Sequence, residues 1–393
     1  MISVEQASKI IFESIDFTNK SVEIALSDAL GYVLYHDVIS PINMPPFRQS
    51  AMDGYAINLH DSHNYALIGE VKAGDGHQLH LKPGDAVRIF TGAAVPDSAN
   101  AVVMQEKTSI KDNALTIDSS VVVNENIRPL GEQVLEGQVA LKKGAKLNPA
   151  AIAYLATLGI TQIKVYQKPT IAIIVTGNEL AEAGENLQHG QIYESNAIML
   201  RVALKQLGYD KISFHKVADN YNDTLNLLDN VISNNEVILV SGGISVGDYD
   251  FVGKALAELN VVEHFYKVNQ KPGKPLFFGK KDDKIIFALP GNPAASLSCF
   301  YIYVITAIEK LSGNSNYNLI RVKALSKSSF VKKGDRAQFL KAIYNNGAVE
   351  VLVGQNSSML HTFALANALV YLPEDAESIN KQDEVEVILL PIN

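Results

Sequence analysis

The chain has 393 residues, 47% of them hydrophobic and 19% charged, with a formal net charge of −8 and a single cysteine, Cys299. That length exceeds one ordinary domain, and that balance builds cores rather than a disordered or fibrous chain. The acidic charge argues against non-specific nucleic-acid binding, and one thiol excludes an internal disulfide and a four-thiolate metal site.

The N-terminal stretch from Met1 to Ile15 lacks the basic and apolar regions of a signal peptide. The longest apolar-rich run, Ala294 to Ile308, falls short of the roughly 18 residues of a membrane span. The expected setting is cytoplasmic, with no membrane and no nucleic-acid partner. Ser3 and Gln6 have capping-box spacing, and Ala7, Ile10, Ile11 and Phe12 give a first helix its apolar face. A second short helix is expected after Ser27. Three prolines between Ser40 and Phe47 imply an extended linker.

From Met52 to Arg128 short β-rich runs (YALIGEV, AVRIF, AVVMQ, VVVN) alternate with turns such as KPGD and KDNA, which predicts a small all-β domain. Asn148 as cap, Pro149 as first residue and Gly159 as terminator predict a helix over AAIAYLATL. The first helix and this one read as one interrupted helical domain, residues 1–47 and 129–167, with a β domain of 48–128 inserted. From Lys168 strands and helices alternate. Strand Thr170–Thr176 leads to helix Asn196–Leu207, closed by Gly208. Strand Ile212–Val217 leads to helix Asp223–Ile232, strand Val237–Ser241 to helix Tyr249–Leu259, and strand Ile285–Leu289 to helix Ala294–Leu311. Repeated βα units with near-continuous apolar strands predict a parallel sheet covered on both faces, an α/β domain of 168–313. The tail, 314–393, returns to short strands and reads as a small β-barrel.

In such a sheet ligands sit beyond the carboxyl ends of the strands. Here those loops are Thr176-Gly177-Asn178-Glu179, a loop holding Asp219, Ser241 to Asp250 with its three glycines, and Leu289-Pro290-Gly291-Asn292-Pro293. Glycines let backbone N–H groups approach a phosphate, and a helix N-terminus adds favourable partial charge. Tight turning alone accounts equally well for any one loop, but not for several at one sheet edge. Neither the dinucleotide nor the P-loop glycine signature is present. Between His264 and Lys281 stand Lys267, Lys271, Lys274, Lys280 and Lys281 with no acidic residue. The turn Lys271-Pro272-Gly273-Lys274 can aim two ammonium groups at one anion; a solvated lysine-rich hairpin is the plainer reading. Glu179, Asp219, Asp248 and Asp250 fall at strand ends of the same sheet. Carboxylates beside phosphates suit Mg²⁺, and Asp is also a good helix cap, a role that fits Asp248 best. Arg48 to Tyr55 and Arg88 to Pro96 read only as turns, and Cys299 as a core residue.

Taken in order, SAMDGYA, RIFTGAAVP followed by AVVMQE, TGNEL, GQIYESNA, SGGISVGDYD, KPGKPLFFG and LPGNPAAS resemble the MoeA family, the molybdopterin molybdenumtransferases, whose eukaryotic relative is the E domain of gephyrin. The likeness covers essentially the whole chain. It implies an elongated homodimer of four-domain subunits. The implied reaction inserts molybdenum from molybdate into adenylylated molybdopterin and releases AMP with Mg²⁺ assisting. A molybdopterin adenylyltransferase is an implied possible partner.

By matching, Glu179 and Asp250 would hold Mg²⁺ with Asp219 close by. Lys271 and Lys274, with Lys267, would bind phosphate or molybdate. Gly242, Gly243, Ser245, Asp248, the loop Pro290, Gly291, Asn292 and Pro293, and Ser296 would cradle the pterin phosphate. Asp53 and Thr91 would reach the cleft from the partner subunit, and Ser357 would line its far wall. Gln133, Asn178 and Lys341 depart from the family's pattern; Lys341 stands where Arg is frequent and lacks the bidentate fork. Two alternatives share the fold: a smaller molybdopterin adenylyltransferase-like enzyme, and a non-catalytic gephyrin-like scaffold.

Overall fold

The computed structural model describes residues 1–244, 251–315 and 317–391, so Ser245, Asp248 and Asp250 lie outside the described residues. The chain divides into two units: Met1–Val22, Gly31–Val33 and Val165–Asn393 form one, and Glu23–Leu30 with Leu34–Lys164 the other. Helix α1 (Val4–Ser14) belongs to the first. Its capping box is complete: Gln6 N donates to Ser3 Oγ at 3.2 Å and Ser3 N to Gln6 Oε1 at 3.0 Å.

The second unit is built on six strands: β1 (Gly54–Ile57), β2 (Asn64–Val71), β3 (Asp85–Ile89), β4 (Ala101–Met104), β5 (Thr108–Lys111) and β6 (Ala114–Ile117). They lie in the order β4-β1-β3-β2-β6-β5. Alternate side chains bury on opposite faces, Tyr55 and Ile57 on one and Ala56 on the other. Asp112 and Asn113, both at positive φ, make the two-residue hairpin turn between β5 and β6. Two expectations change here. VVVN is not a strand: residues 123–126 turn, with Asn124 and Asn126 at positive φ. The helix after Ser27 is only a 3₁₀ turn, Leu26–Asp28. Helix α2 (Pro149–Thr157) forms as expected, with Asn148 Oδ1 accepting from Ala151 N at 2.8 Å and Gly159 at φ +78°.

The first unit carries the larger core. Strands β7 (Ile171–Thr176), β8 (Ile212–Val217), β9 (Val237–Ser241), β10 (Val262–Lys267), the two-residue β11 (Gln270–Lys271), β12 (Pro275–Lys281) and β13 (Lys284–Leu289) are interleaved with α3 (Asn196–Gln206), α4 (Tyr221–Asn234) and α5 (Phe251–Glu258). The main sheet runs β8-β7-β9-β13-β12-β10. It is parallel from β8 to β13, and the lysine-rich hairpin adds β12 and β10 antiparallel at its edge. Ile171, Ile173 and Val175 pack one face with α1, while Ala172 and Ile174 pack the other with α4 and α5.

Helix α6 (Pro293–Cys299) continues through a π turn, Phe300–Val304, into α7 (Ile305–Leu311). The apolar run is therefore longer than the sequence suggested. The 19 residues Pro293–Leu311 are long and apolar enough to cross a membrane, yet 89% of that stretch is buried inside the protein, which makes it a core helix. Strands β14 (Arg321–Ser326), β15 (Ala337–Asn345), β16 (Ala348–Val351), β17 (Ala368–Leu372) and β18 (Glu384–Leu389) follow, in the order β15-β16-β14-β18-β17. Pairing of β17 back onto β15 closes the barrel, which removes its free edges.

Candidate functional site

Strand β7 is flanked by β8 on one side and β9 on the other, so successive connections leave it in opposite directions. A crevice opens beyond the carboxyl ends of β7 and β9, where such a reversal always leaves one. It is a cleft of about 880 Å³.

Its first wall begins at Gly177. A Cβ there would stand 2.7 Å from Glu179 Oε2, so the absence of a side chain lets the Glu179 carboxylate fold back over the strand end. Asn178 Oδ1 accepts from Asp219 N at 3.1 Å, which ties the loops after β7 and β8 and puts Glu179 and Asp219 on the same cleft. After β9, Gly242 and Gly243 have φ of +92° and +65°. Side chains at these positions would meet the Thr176 carbonyl and hydroxyl oxygens at 2.7 Å, so only glycine fits this close approach. Asn196, the first residue of α3, donates from Nδ2 to Ser241 Oγ and to Gly291 O, both at 2.8 Å, and so joins three loops. Among the described residues its Oδ1 and Thr176 Oγ1 are buried without a partner.

The opposite wall is cationic. Lys271 and Lys274 project from the Lys271–Pro275 turn, and Arg336 comes from the segment entering β15. Among the described residues no carboxylate forms a salt bridge with any of the three. The barrel closes the far side through Ser357 and Ser358. Asn292 Nδ2 donates to Ser357 Oγ at 3.0 Å, and Ala294 N and Ala295 N donate to Ser357 O at 3.1 and 3.2 Å. The first amides of α6 are thereby taken, so this helix start does not offer them to a phosphate as the sequence alone suggested.

The cleft thus opposes acceptor carboxylates to cations that no described carboxylate pairs, over a glycine-lined floor, a chemistry suited to a phosphorylated ligand. The chain's relatives bear on which ligand. Residues 2–159 match the family model described as MoeA N-terminal region (domain I and II), residues 172–310 that of a probable molybdopterin binding domain, and residues 323–390 that of MoeA C-terminal region (domain IV). A molybdopterin molybdenumtransferase of Haemophilus influenzae is 34% identical, with 98% of each chain covered. One from a Nostoc species is also 34% identical, over 100% of this chain and 94% of that one.

The chain belongs to the MoeA family. The match runs nearly the full length of these relatives. A crystal structure of the molybdopterin biosynthesis moeA protein from Pyrococcus horikoshii OT3 superposes with a TM-score of 0.86 at 28% identity, covering 99% of this chain and 100% of that one.

Of the residues singled out in the sequence, Glu179, Asp219, Gly242, Gly243, Lys271, Lys274, Pro290, Gly291, Asn292, Pro293 and Ser357 all line this one cleft. Lys267 does not: its ammonium lies 5.8 Å from the Tyr266 ring centroid. Ser296 is fully buried in α6, and its hydroxyl does not reach the cleft lining. Asp53 and Thr91 lie in the second unit, bonded to each other: Asp53 Oδ1 accepts from Thr91 N at 2.8 Å and from Thr91 Oγ1 at 2.9 Å. Those bonds, the backbone one first, hold the Asp53 carboxyl below its ordinary value. Tyr193, Glu194, Asn196 and Arg336 also line the cleft and went unread. The first three sit inside GQIYESNA, and a buried Asn opening a helix was a usable signal. Arg336 sits in a polar loop with no local mark.

Proposed function

We propose that this chain inserts molybdenum from molybdate into adenylylated molybdopterin and releases AMP; the name of its relatives, molybdopterin molybdenumtransferase, supports the transfer of molybdenum to molybdopterin. The observation that carries the reading is the cleft itself, with Glu179 and Asp219 facing Lys271, Lys274 and Arg336. The cations bind the anionic substrates and offset charge that builds on the leaving phosphate. Glycines 242 and 243 let the pterin phosphate approach the backbone.

Among the described residues no group of three or more His, Cys, Asp or Glu stands ready to hold a metal. Mg²⁺ needs no such group, because one or two carboxylates suffice when substrate phosphate and water complete its shell. Glu179, with Asp219 beside it and Asp250 by resemblance, fits that demand. The ion would supply charge neutralisation at the scissile phosphate. The proposal extends to a cytoplasmic homodimer, with Asp53 and Thr91 of one copy serving the cleft of the other, and to an adenylyltransferase that delivers the substrate.

Purified protein with Mg²⁺ and adenylylated molybdopterin should release AMP when molybdate is added. No AMP and no active cofactor under those conditions would sink the reading. Lys274→Ala should lower the rate about a hundredfold or more while leaving the melting temperature unchanged, since an exposed ammonium supports charge rather than packing.

A further inference from the structure

The two lysines that face the cleft are carried by a turn that has no slack, and the reason lies beneath it. Gln270, directly before Lys271, is fully buried, and Tyr303 beneath it is 1% exposed. The Gln270 amide has one possible orientation. Its Nε2 donates to Gly273 O at 3.0 Å, an oxygen that can only accept, so Oε1 faces the Tyr303 hydroxyl and accepts from it. Nε2 also approaches Cys299 Sγ at 3.4 Å. Gly273, at φ +85°, presses so closely on α6 that a Cβ there would stand 2.5 Å from Cys299 Sγ. On the outer side β11 pairs with Ala337 and Gln338 of β15, and Arg336 Nη1 donates to Gln270 O at 3.3 Å. Tyr303 itself belongs to the π turn that interrupts the helix Pro293–Leu311. Such turns recur at functional sites, where the extra residue redirects a side chain.

We propose that Tyr303 and Gln270 are positioning residues, which lock the Lys271–Lys274 turn so that its two ammonium groups and the Arg336 guanidinium converge on one anion. The inference rests on the functional reading above, because it assumes that these cations bind substrate. Neither Tyr303 nor Gln270 lines the cleft, so neither touches the ligand. Their influence passes through the Gly273 carbonyl and the Gln270 main chain. Two flexible lysines on a free turn would each bind an anion singly, whereas a fixed turn presents both without further ordering.

The test is a double-mutant cycle on the purified enzyme, read as kcat and as KM for molybdate and for adenylylated molybdopterin. Tyr303→Phe deletes one hydroxyl and keeps the ring. It should change the same kinetic parameter that Lys274→Ala changes, by about ten- to a hundredfold. The double variant should be less impaired than the product of the two single effects, because part of the mispositioning no longer matters once Lys274 is gone. Gln270→Met, of similar volume, should repeat the result, and it keeps the cycle available if Tyr303→Phe does not fold. Melting curves separate a structural role, which would lower the melting temperature while leaving KM and kcat of the folded fraction intact; that outcome overturns the proposal. So do effects that simply add to those of Lys274→Ala. If Lys274→Ala itself leaves every parameter unchanged, the functional reading falls, and the positioning role with it.

Discussion

At the scale of single residues, the most instructive position is Lys341. The sequence marked it as a lysine standing where arginine is frequent, and so as a weakened site cation. It is 3% exposed, and its Nζ donates to Asn356 O at 3.2 Å and Met359 O at 3.0 Å. It therefore holds the loop that carries Ser357, and the guanidinium that does reach the cleft is Arg336. The side-chain charge was legible; its direction was not, because one residue along β15 separates a barrel interior from its exterior. Burial pushes the Lys341 ammonium below the ordinary lysine value. The sign of the consequence is fixed. Between the lowered folded value and the ordinary one, the unfolded chain holds more protons than the folded chain, so the cost of the buried charge is relieved and stability rises with pH. Below that window the cost is present in full. The difference in urea-unfolding free energy between wild type and Lys341→Met should therefore shift in favour of wild type as the pH rises toward the ordinary lysine value. A flat difference would show that the ammonium is not desolvated. The same substitution should raise KM more than it lowers the melting temperature, through the Ser357 loop.

At the scale of elements, the parallel strands β7, β8 and β9 fell within a residue of their expected bounds. Their continuous apolar runs leave no other state that buries both faces. Two of the errors involve glycine or asparagine. VVVN looked like a strand, but its apolar residues are too few to be retained against two left-handed asparagines. The lysine segment reads as a turn, with a lysine-rich hairpin as the plainer alternative, and the structure shows that hairpin in β10 and β12. An edge hairpin tolerates charge on its outer face, which hides its period. SAMDGYA read as a turn because Asp-Gly usually ends a strand, yet Gly54 begins β1, a strand paired on both sides. A Cβ on Gly54 would stand 1.9 Å from the Val103 carbonyl oxygen. The glycine is there for close strand approach, and Asp53 is thereby fixed one residue before the sheet. Gly54→Ala should destabilise the sheet of the second unit by about 1–3 kcal/mol, the usual range for overpacking. Urea unfolding followed by hydrogen exchange should show the loss in β1, β3 and β4, with β7 and β9 protected as in wild type. Equal loss in both units would mean that they unfold as one.

At the scale of the whole molecule, the sequence located the cleft but left one part of its chemistry without a place. Every loop at the carboxyl ends of β7, β9 and β13 was legible, because glycines and paired charges at strand ends have few purely structural uses. Asp53 and Thr91 carried no such signal, since a short Asp–Thr contact in a loop is common. The proposal that a second copy of the chain uses them makes a distinctive prediction. Suppose each cleft needs Lys274 from its own chain and Asp53 from the other. Asp53→Ala homodimers and Lys274→Ala homodimers would then both be inactive. In a heterodimer of the two variants, one cleft lacks both residues and the other has both intact. Subunit exchange at equal concentrations gives about half heterodimers, each with one working cleft of two, so AMP release should return to about a quarter of the wild-type rate. If Asp53 instead serves its own chain, every cleft in every dimer lacks one residue, and mixing restores nothing. The recovery also depends on exchange itself: it should grow with incubation time and disappear when the two variants are cross-linked as homodimers before mixing. Thr91→Ala in place of Asp53→Ala should complement Lys274→Ala in the same way. The two residues should fail to complement each other in trans, because Asp53 and Thr91 are bonded within one unit and act as a pair.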